Sequence, residues 1–271
     1  VLQGERYDWL VVDHYGLDAR WERRVRSVAE RCLVIDDLAD RAHDCDLLLD
    51  PGLGRCEADY ADLLPPTATR LLGPQHALLR PEFAAHRTES LARRVTPDLK
   101  RILVTLGGSD GENVTCKVLD ALDSAPLPAG VEITVVMGPS APWLDAVRLR
   151  ASAMRAPTLV LSGVSNMARL MTDSDLAIGA AGSTAWERCC LGLPSIQMVL
   201  ADNQREIANT LQASGAAPNL ASAEEITPFL THRLTSGSLT RWLRDVSNAS
   251  AGIVAGDGVD YVRAWMEGQD A

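Results

Sequence analysis

With 271 residues, 46% of them hydrophobic and only 4% aromatic, the chain is long enough to bury two ordinary cores. A formal net charge of −10 excludes a general nucleic-acid surface, which would need a clustered basic face, but not a single nucleotide held at helix termini. Cys32, Cys45, Cys56, Cys116, Cys189 and Cys190 contain no C-x-x-C pair and read as reduced thiols. No apolar run has the length of a membrane span and no signal peptide is visible, so a cytoplasmic protein is expected.

Residues 7–12 read as a strand that delivers Asp13-His14-Tyr15-Gly16 at its carboxyl end, the edge where α/β proteins hold ligands. A charged amphipathic helix is expected over 18–30, and short apolar runs at 32–35, 47–49 and 70–72 are further candidate strands. Within this strand exit His14 is a candidate active-site residue, against the reading of an ordinary exposed histidine. Asp36-Asp37 is either a paired-carboxylate site or an acidic loop opening, and the loop is favoured. A polar stretch at 86–100 marks the expected boundary between domains 1–97 and 98–271.

The second half opens with a strand at 101–106, followed by GGSDG at 107–111 and a helix through 122. Strands at 131–137 and 158–162, with helices at 142–154 and 165–172, predict a parallel sheet of about four to six strands with helical crossovers. GGSDG also matches the nucleophile elbow G-x-S-x-G, with Ser109 as nucleophile. The only later histidine, His232, falls in a helical segment and no H-G-G stretch precedes the motif, so a cleft-wall role for Ser109 is preferred. Neither glycine cluster has the dinucleotide spacing G-x-G-x-x-G.

The richest stretch is 175–204. An apolar run at 176–178 stops at Gly179-Ala180-Ala181-Gly182, a helix opens at Ser183-Thr184 and carries Glu187, and a second apolar run at 196–200 closes in Asp202-Asn203-Gln204. A turn without bulky side chains lets a ligand approach the backbone, and a helix start offers unpaired N–H groups, which suits a phosphate or diphosphate. Glu187, one turn deeper, can only accept hydrogen bonds, which suits a ribose diol. The competing reading is a T-x-x-E capping box between Thr184 and Glu187. The tail is helical at 204–214, 223–234 and 239–249, and a last helix carries Tyr261, Val262 and Trp265.

GGSD after a strand, GAAGSTAWE before a helix, LGLP after it and ADNQ after the next strand resemble the nucleotide-sugar half of the GT-B superfamily. Together with DHYG near the start, LLRPEF before the boundary and the terminal DG, the ordered set resembles the UDP-2,4-diacetamido-2,4,6-trideoxy-β-L-altropyranose hydrolases of the pseudaminic acid pathway over nearly the whole chain. The resemblance implies an α/β fold of GT-B type with two doubly wound Rossmann-like domains, the first incomplete. It implies a metal-independent hydrolase without cofactor, acting on a small-molecule nucleotide sugar. By that implication Gly182, Ser183, Thr184 and Glu187 meet the diphosphate and ribose, and Gly107, Gly108 and Ser109 line the cleft opposite. Tyr15 and Asn203 would face the sugar as catalytic residues, with Asp13, His14 and Gln204 binding substrate beside them. The family opens with a G-x-G-H segment, and none of His14, His43, His76, His86 and His232 follows a glycine. The expectation is therefore a chain lacking the family's first βα units, binding uridine nucleotide but turning over sugar nucleotide poorly or not at all. A GT-B glycosyltransferase and a non-catalytic nucleotide-sugar binder are the rival classes.

Overall fold

Short Leu/Val/Ile runs at the start of the chain pair side by side in the computed structural model, which describes residues 6–108 and 110–268. Strands β1 (Tyr7–Asp13), β2 (Ala29–Ile35), β3 (Leu47–Asp50) and β4 (Thr69–Leu72) form an all-parallel sheet in the order β1-β2-β3-β4. All four residues of β3 are buried, as a parallel strand covered on both faces requires. Between β1 and β2 lies α1 (Ala19–Val25), capped by the Asp18 carboxylate accepting from the Arg20 N–H. The helix expected over 18–30 stops at Val25, because Ala29 is already paired with Tyr7 in the sheet.

The chain divides into one unit running to Leu78 and resuming at Gly256, and a second from Leu79 to Ala255. This differs from the expected division at 97/98. The first part of the polar stretch at 86–100, where the boundary is expected, lies in the helix α2 (Pro81–Arg93), with Pro81 in its first turn. The helix packs within the second unit through the fully buried Phe83 and through arginine-to-carbonyl bonds. Arg87 donates to the Cys190 and Ala251 carbonyls, and buried Arg94 donates to those of Ser90, Met171 and Ser174. The final helix, Gly258–Met266, instead returns to the first unit. There the Trp9 indole donates to the Met266 carbonyl at 3.2 Å, Trp9 and Trp265 meet edge to face, and Val262 joins Leu33, Leu47 and Leu49.

In the second unit the chain alternates β5 (Arg101–Thr105), α3 (Val114–Ser124), β6 (Glu132–Met137), α4 (Leu144–Ser152), β7 (Thr158–Ser162) and α5 (Met167–Asp173). It continues as β8 (Leu176–Ala180), α6 (Thr184–Cys190), β9 (Ser195–Met198), α7 (Arg205–Ala213), β10 (Asn219–Leu220), α8 (Ile226–Thr235) and α9 (Leu239–Ala251). The strands are all parallel in the order β10-β9-β8-β5-β6-β7. The chain winds from β5 outward through β6 and β7, then crosses back to β8 on the other side of β5 and winds outward again. That reversal is the switch point of a doubly wound sheet. Ile102, Val104, Ile133, Val135, Leu176 and Ile178 point to one face, where Val118, Leu119, Leu122, Val147, Ile226 and Leu230 close over them. β8 runs two residues beyond its expected end, because Gly179 pairs with Thr105 and Gln197, and Ala180 with Met198. Among the described residues no helix is long and apolar enough to cross a membrane.

Candidate functional site

At the switch point the carboxyl ends of β5, β8 and β9 open into a cleft of about 620 Å³. Gly107 and Gly108 form one wall, Gly182, Ser183 and Thr184 another, and Gln204 lies along the floor with Leu200 and Ala201. Gly107 has φ +94, a conformation L side chains rarely adopt, and a Cβ on either Gly107 or Gly108 would meet nothing within 4 Å. These backbones are bare toward the cleft. Ser109 lies outside the described residues.

The two helix starts beside the cleft are in different electrostatic states. At α3 the buried Asp110 accepts from the Val114 N–H at 2.8 Å and the Thr115 N–H at 3.0 Å, so the free donors there already face a carboxylate of the protein. At α6 Ser183 makes no side-chain cap, and the N–H groups of Gly182, Ser183 and Thr184 have no partner among the described residues. An incoming anion therefore finds unpartnered N–H groups at the α6 start, whereas the α3 start is already capped by Asp110.

The T-x-x-E capping box does not form. The Thr184 hydroxyl accepts from Arg188 Nη1 at 3.2 Å, and the half-buried Glu187 carboxylate has no hydrogen-bond partner among the described residues. Burial pushes the Glu187 carboxyl above its ordinary range, while Arg80 and then Arg188 pull it back. Glu187 stands outside the cleft lining, one turn below Thr184. Gln204 accepts from the Leu200 N–H at 2.9 Å, and its Nε2 sits 3.6 Å from where a Cβ on Gly182 would be. Asn203, beside it in the turn Asp202–Gln204, is exposed and does not line the cleft.

The remaining predicted residues belong to the first unit. Asp13, His14 and Tyr15 are exposed at the exit of β1. His14 Nδ1 accepts from the Gly16 N–H at 2.9 Å, which ties the ring into its own turn, whereas the Tyr15 hydroxyl donates to Asp37 Oδ2 at 3.3 Å. Asp36 and Asp37, read together as a loop opening, have separate fates. Asp36 is 2% exposed and joins Asp50 and Tyr60 in a buried network, with the Tyr60 hydroxyl 3.0 Å from Asp36 Oδ2 and 2.8 Å from Asp50 Oδ2. Arg41 meets Asp36 at 2.8 Å and Arg55 meets Asp50 at 2.6 Å, which supplies the positive charge such burial demands. Asp37 is left half-buried under Tyr15, its carboxyl pushed up chiefly by burial.

Sequence reasoning missed Asp110, Gly138 and Arg188. The Asp110 cap was signalled by an acidic residue just ahead of a helical pattern, and Gly138 by a glycine at a strand exit. Arg188 carried no signal, since an arginine inside a helix ordinarily points to water.

The fold and this cleft define a GT-B, nucleotide-sugar-related enzyme or binder. Two solved structures share the fold: MurG of Acinetobacter baumannii (TM-score 0.64, 15% identity, 92% of this chain and 76% of that one) and the UDP-GlcNAc 2-epimerase of Neisseria meningitidis bound to UDP-GlcNAc (TM-score 0.64, 14% identity, 96% and 76%). Residues 101–237, just over half of the chain, match the glycosyltransferase family 28 C-terminal domain, and the chain belongs to that family. It is 34% identical over 152 residues to the spore coat polysaccharide biosynthesis protein SpsG of Bacillus subtilis, covering 56% of this chain and 44% of that protein. It is 24% identical over 216 residues to the UDP-2,4-diacetamido-2,4,6-trideoxy-β-L-altropyranose hydrolase of Campylobacter jejuni, covering 79% and 74%. The match to an uncharacterised Methanocaldococcus jannaschii protein is 29% over 204 residues, 73% of this chain and 42% of that one, so the chain spans less than half of two of its relatives.

Proposed function

We propose that the chain holds the diphosphate of a UDP-sugar at Gly182, Ser183 and Thr184 and hydrolyses it. In this reading UDP leaves UDP-2,4-diacetamido-2,4,6-trideoxy-β-L-altropyranose as water attacks the anomeric carbon. The observation that carries it is the uncapped start of α6, whose three unpartnered N–H groups at 182–184 line the cleft together with the bare glycine backbone at 107–108. A diphosphate is bulky, anionic and rich in acceptors, and matches that helix start.

UDP is a good leaving group once its growing charge is held, so the protein has chiefly to bind the diphosphate and aim the water. Glu187, one turn below the cleft lining, accepts from the ribose diol, Gln204 faces the sugar from the cleft and Asn203 from the exposed turn beside it, and Gly107 and Gly108 let the substrate lie against the opposite wall. Tyr15, with Asp13 and His14 beside it, is assigned to sugar recognition by the resemblance, and its hydroxyl donates to Asp37. The similarity to the Campylobacter hydrolase across 79% of the chain favours hydrolysis. Membership of a glycosyltransferase domain family favours the second reading, transfer of the sugar to an acceptor hydroxyl.

The test is to incubate the chain with the UDP-altropyranose and with UDP-GlcNAc, each with and without candidate acceptors, and to follow UDP and free sugar. UDP and free sugar released without acceptor support the hydrolase, and an acceptor-dependent product makes it a transferase. UDP binding by calorimetry with neither product makes it a binder, and absence of UDP binding overturns the reading.

A further inference from the structure

Arg188 is the largest fully buried side chain among the described residues, 1% exposed, and no carboxylate forms an ion pair with it there. Its Nη2 donates to the Ala180 carbonyl at 2.8 Å and its Nη1 to Thr184 Oγ1 at 3.2 Å, while Nε has no partner. The room for it is made by Gly179, where a Cβ would stand 2.6 Å from Nη1. Both hydrogen-bond acceptors are neutral, and the Glu187 carboxylate acts on the guanidinium through space without an ion pair, so the buried charge is only partly offset. Both acceptors lie on the segment that forms the α6 wall of the cleft.

The polarity of the second bond matters. Arginine can only donate, so Thr184 Oγ1 is the acceptor in this pair, and the hydroxyl's own proton is directed elsewhere. Thr184 lines the cleft, and the neighbouring N–H groups of Gly182 and Ser183 are donors as well.

We propose that Arg188 is a positioning residue for the diphosphate: it fixes the Thr184 hydroxyl as a donor to a phosphate oxygen, and the phosphate charge adds to that of the Glu187 carboxylate in offsetting the buried guanidinium. This rests on the nucleotide reading above. It makes Arg188 act on the phosphate part of the ligand through Thr184, without touching the nucleoside.

Calorimetry of the chain with UDP, UMP and uridine tests it, using Arg188→Met, Thr184→Val, Thr184→Ser and the double variant Arg188→Met/Thr184→Val. Arg188→Met is expected to weaken UDP about 10- to 100-fold, the range for losing a hydrogen bond to a charged group, and to leave uridine within about twofold. Thr184→Val should lose a similar factor for UDP, Thr184→Ser should keep it, and the double variant should lose no more than either single change. Equal weakening of UDP and uridine, or losses that add in the double variant, overturns the proposal in favour of a purely structural arginine. Should Arg188→Met fail to fold, Thr184→Val decides, and an unchanged preference for UDP over uridine in that variant overturns the proposal. A wild-type chain that binds no UDP removes the nucleotide reading itself, whereas UDP binding that survives both substitutions removes only the role of Arg188.

Discussion

The Gly108 carbonyl oxygen lies 2.1 Å from the point that a Cβ on Gly138 would occupy. The exits of β5 and β6 therefore touch backbone to backbone, and the 107–108 turn is held from behind while its other side stays open to the cleft. Gly138→Ala cannot be absorbed by rotating a side chain, since the obstacle is main chain. It should push the turn into the cleft, costing about 1–3 kcal/mol of stability as overpacking does, and weakening UDP by about tenfold or more. Calorimetry beside a thermal melt checks this, and unaltered UDP affinity would contradict it.

Glu187 is predicted to make nucleotide binding pH-dependent. Its carboxyl is raised above 4.5 by burial, so it takes up a proton where an exposed glutamate is still charged. The ribose diol needs the ionised form as acceptor. UDP affinity should then decline as pH falls through that raised value, in excess of the decline caused by the titration of UDP itself. Glu187→Gln should bind UDP about 1.5–3 kcal/mol more weakly at neutral pH, and the ratio of the two affinities should shrink as the solution is acidified. A ratio independent of pH would show that Glu187 does not meet the ligand in its charged form.

Tyr60 is the knot of the first unit. Its single hydroxyl proton serves two buried carboxylates, Asp36 and Asp50, and Asp50 is pushed up by burial. Tyr60→Phe keeps the ring and strips both acceptors of a donor, for an expected loss of about 1–3 kcal/mol. Amide exchange should quicken in β2 and β3 and leave β5 and β8 unchanged. Uniform quickening through both sheets would argue against a local role.

Asp37 carries a second pH effect, on stability. Its folded carboxyl is raised above the ordinary 3.8, so the folded chain holds that proton more tightly than the unfolded chain. The contribution of Asp37 to stability is thus full below about 3.8 and is lost as pH rises through the raised value. Asp37→Asn does not titrate. Its stability relative to wild type should be most favourable at neutral pH and should fall as the solution is acidified toward 3.8, measured by urea unfolding at a series of pH values. A relative stability that rises on acidification would reverse the sign and refute the assignment.

Local chemistry was legible in the residues themselves. The strands at 101–105, 132–137 and 176–180 announce themselves as apolar runs bounded by turn residues, because a parallel strand is buried on both faces. The two small-residue turns, at 107–108 and 181–183, were readable for a similar reason, since backbone exposed to a ligand tolerates few side chains. What the residues could not disclose was everything set by partners far along the chain. The polar stretch at 86–100 reads as a domain boundary until Cys190, Ala251, Met171 and Ser174 supply the carbonyls that Arg87 and Arg94 need. The last helix joins the first unit only because Trp9 and Leu47 are there to receive it. Asp36 and Asp37 are neighbours in sequence, yet successive side chains leaving a strand part to different surroundings, and only packing made one a buried anchor and the other a support for Tyr15. The same holds for Arg188: its composition says surface, and the cavity beside Gly179 says interior, because burial is decided by which elements close over a residue and not by the residue alone.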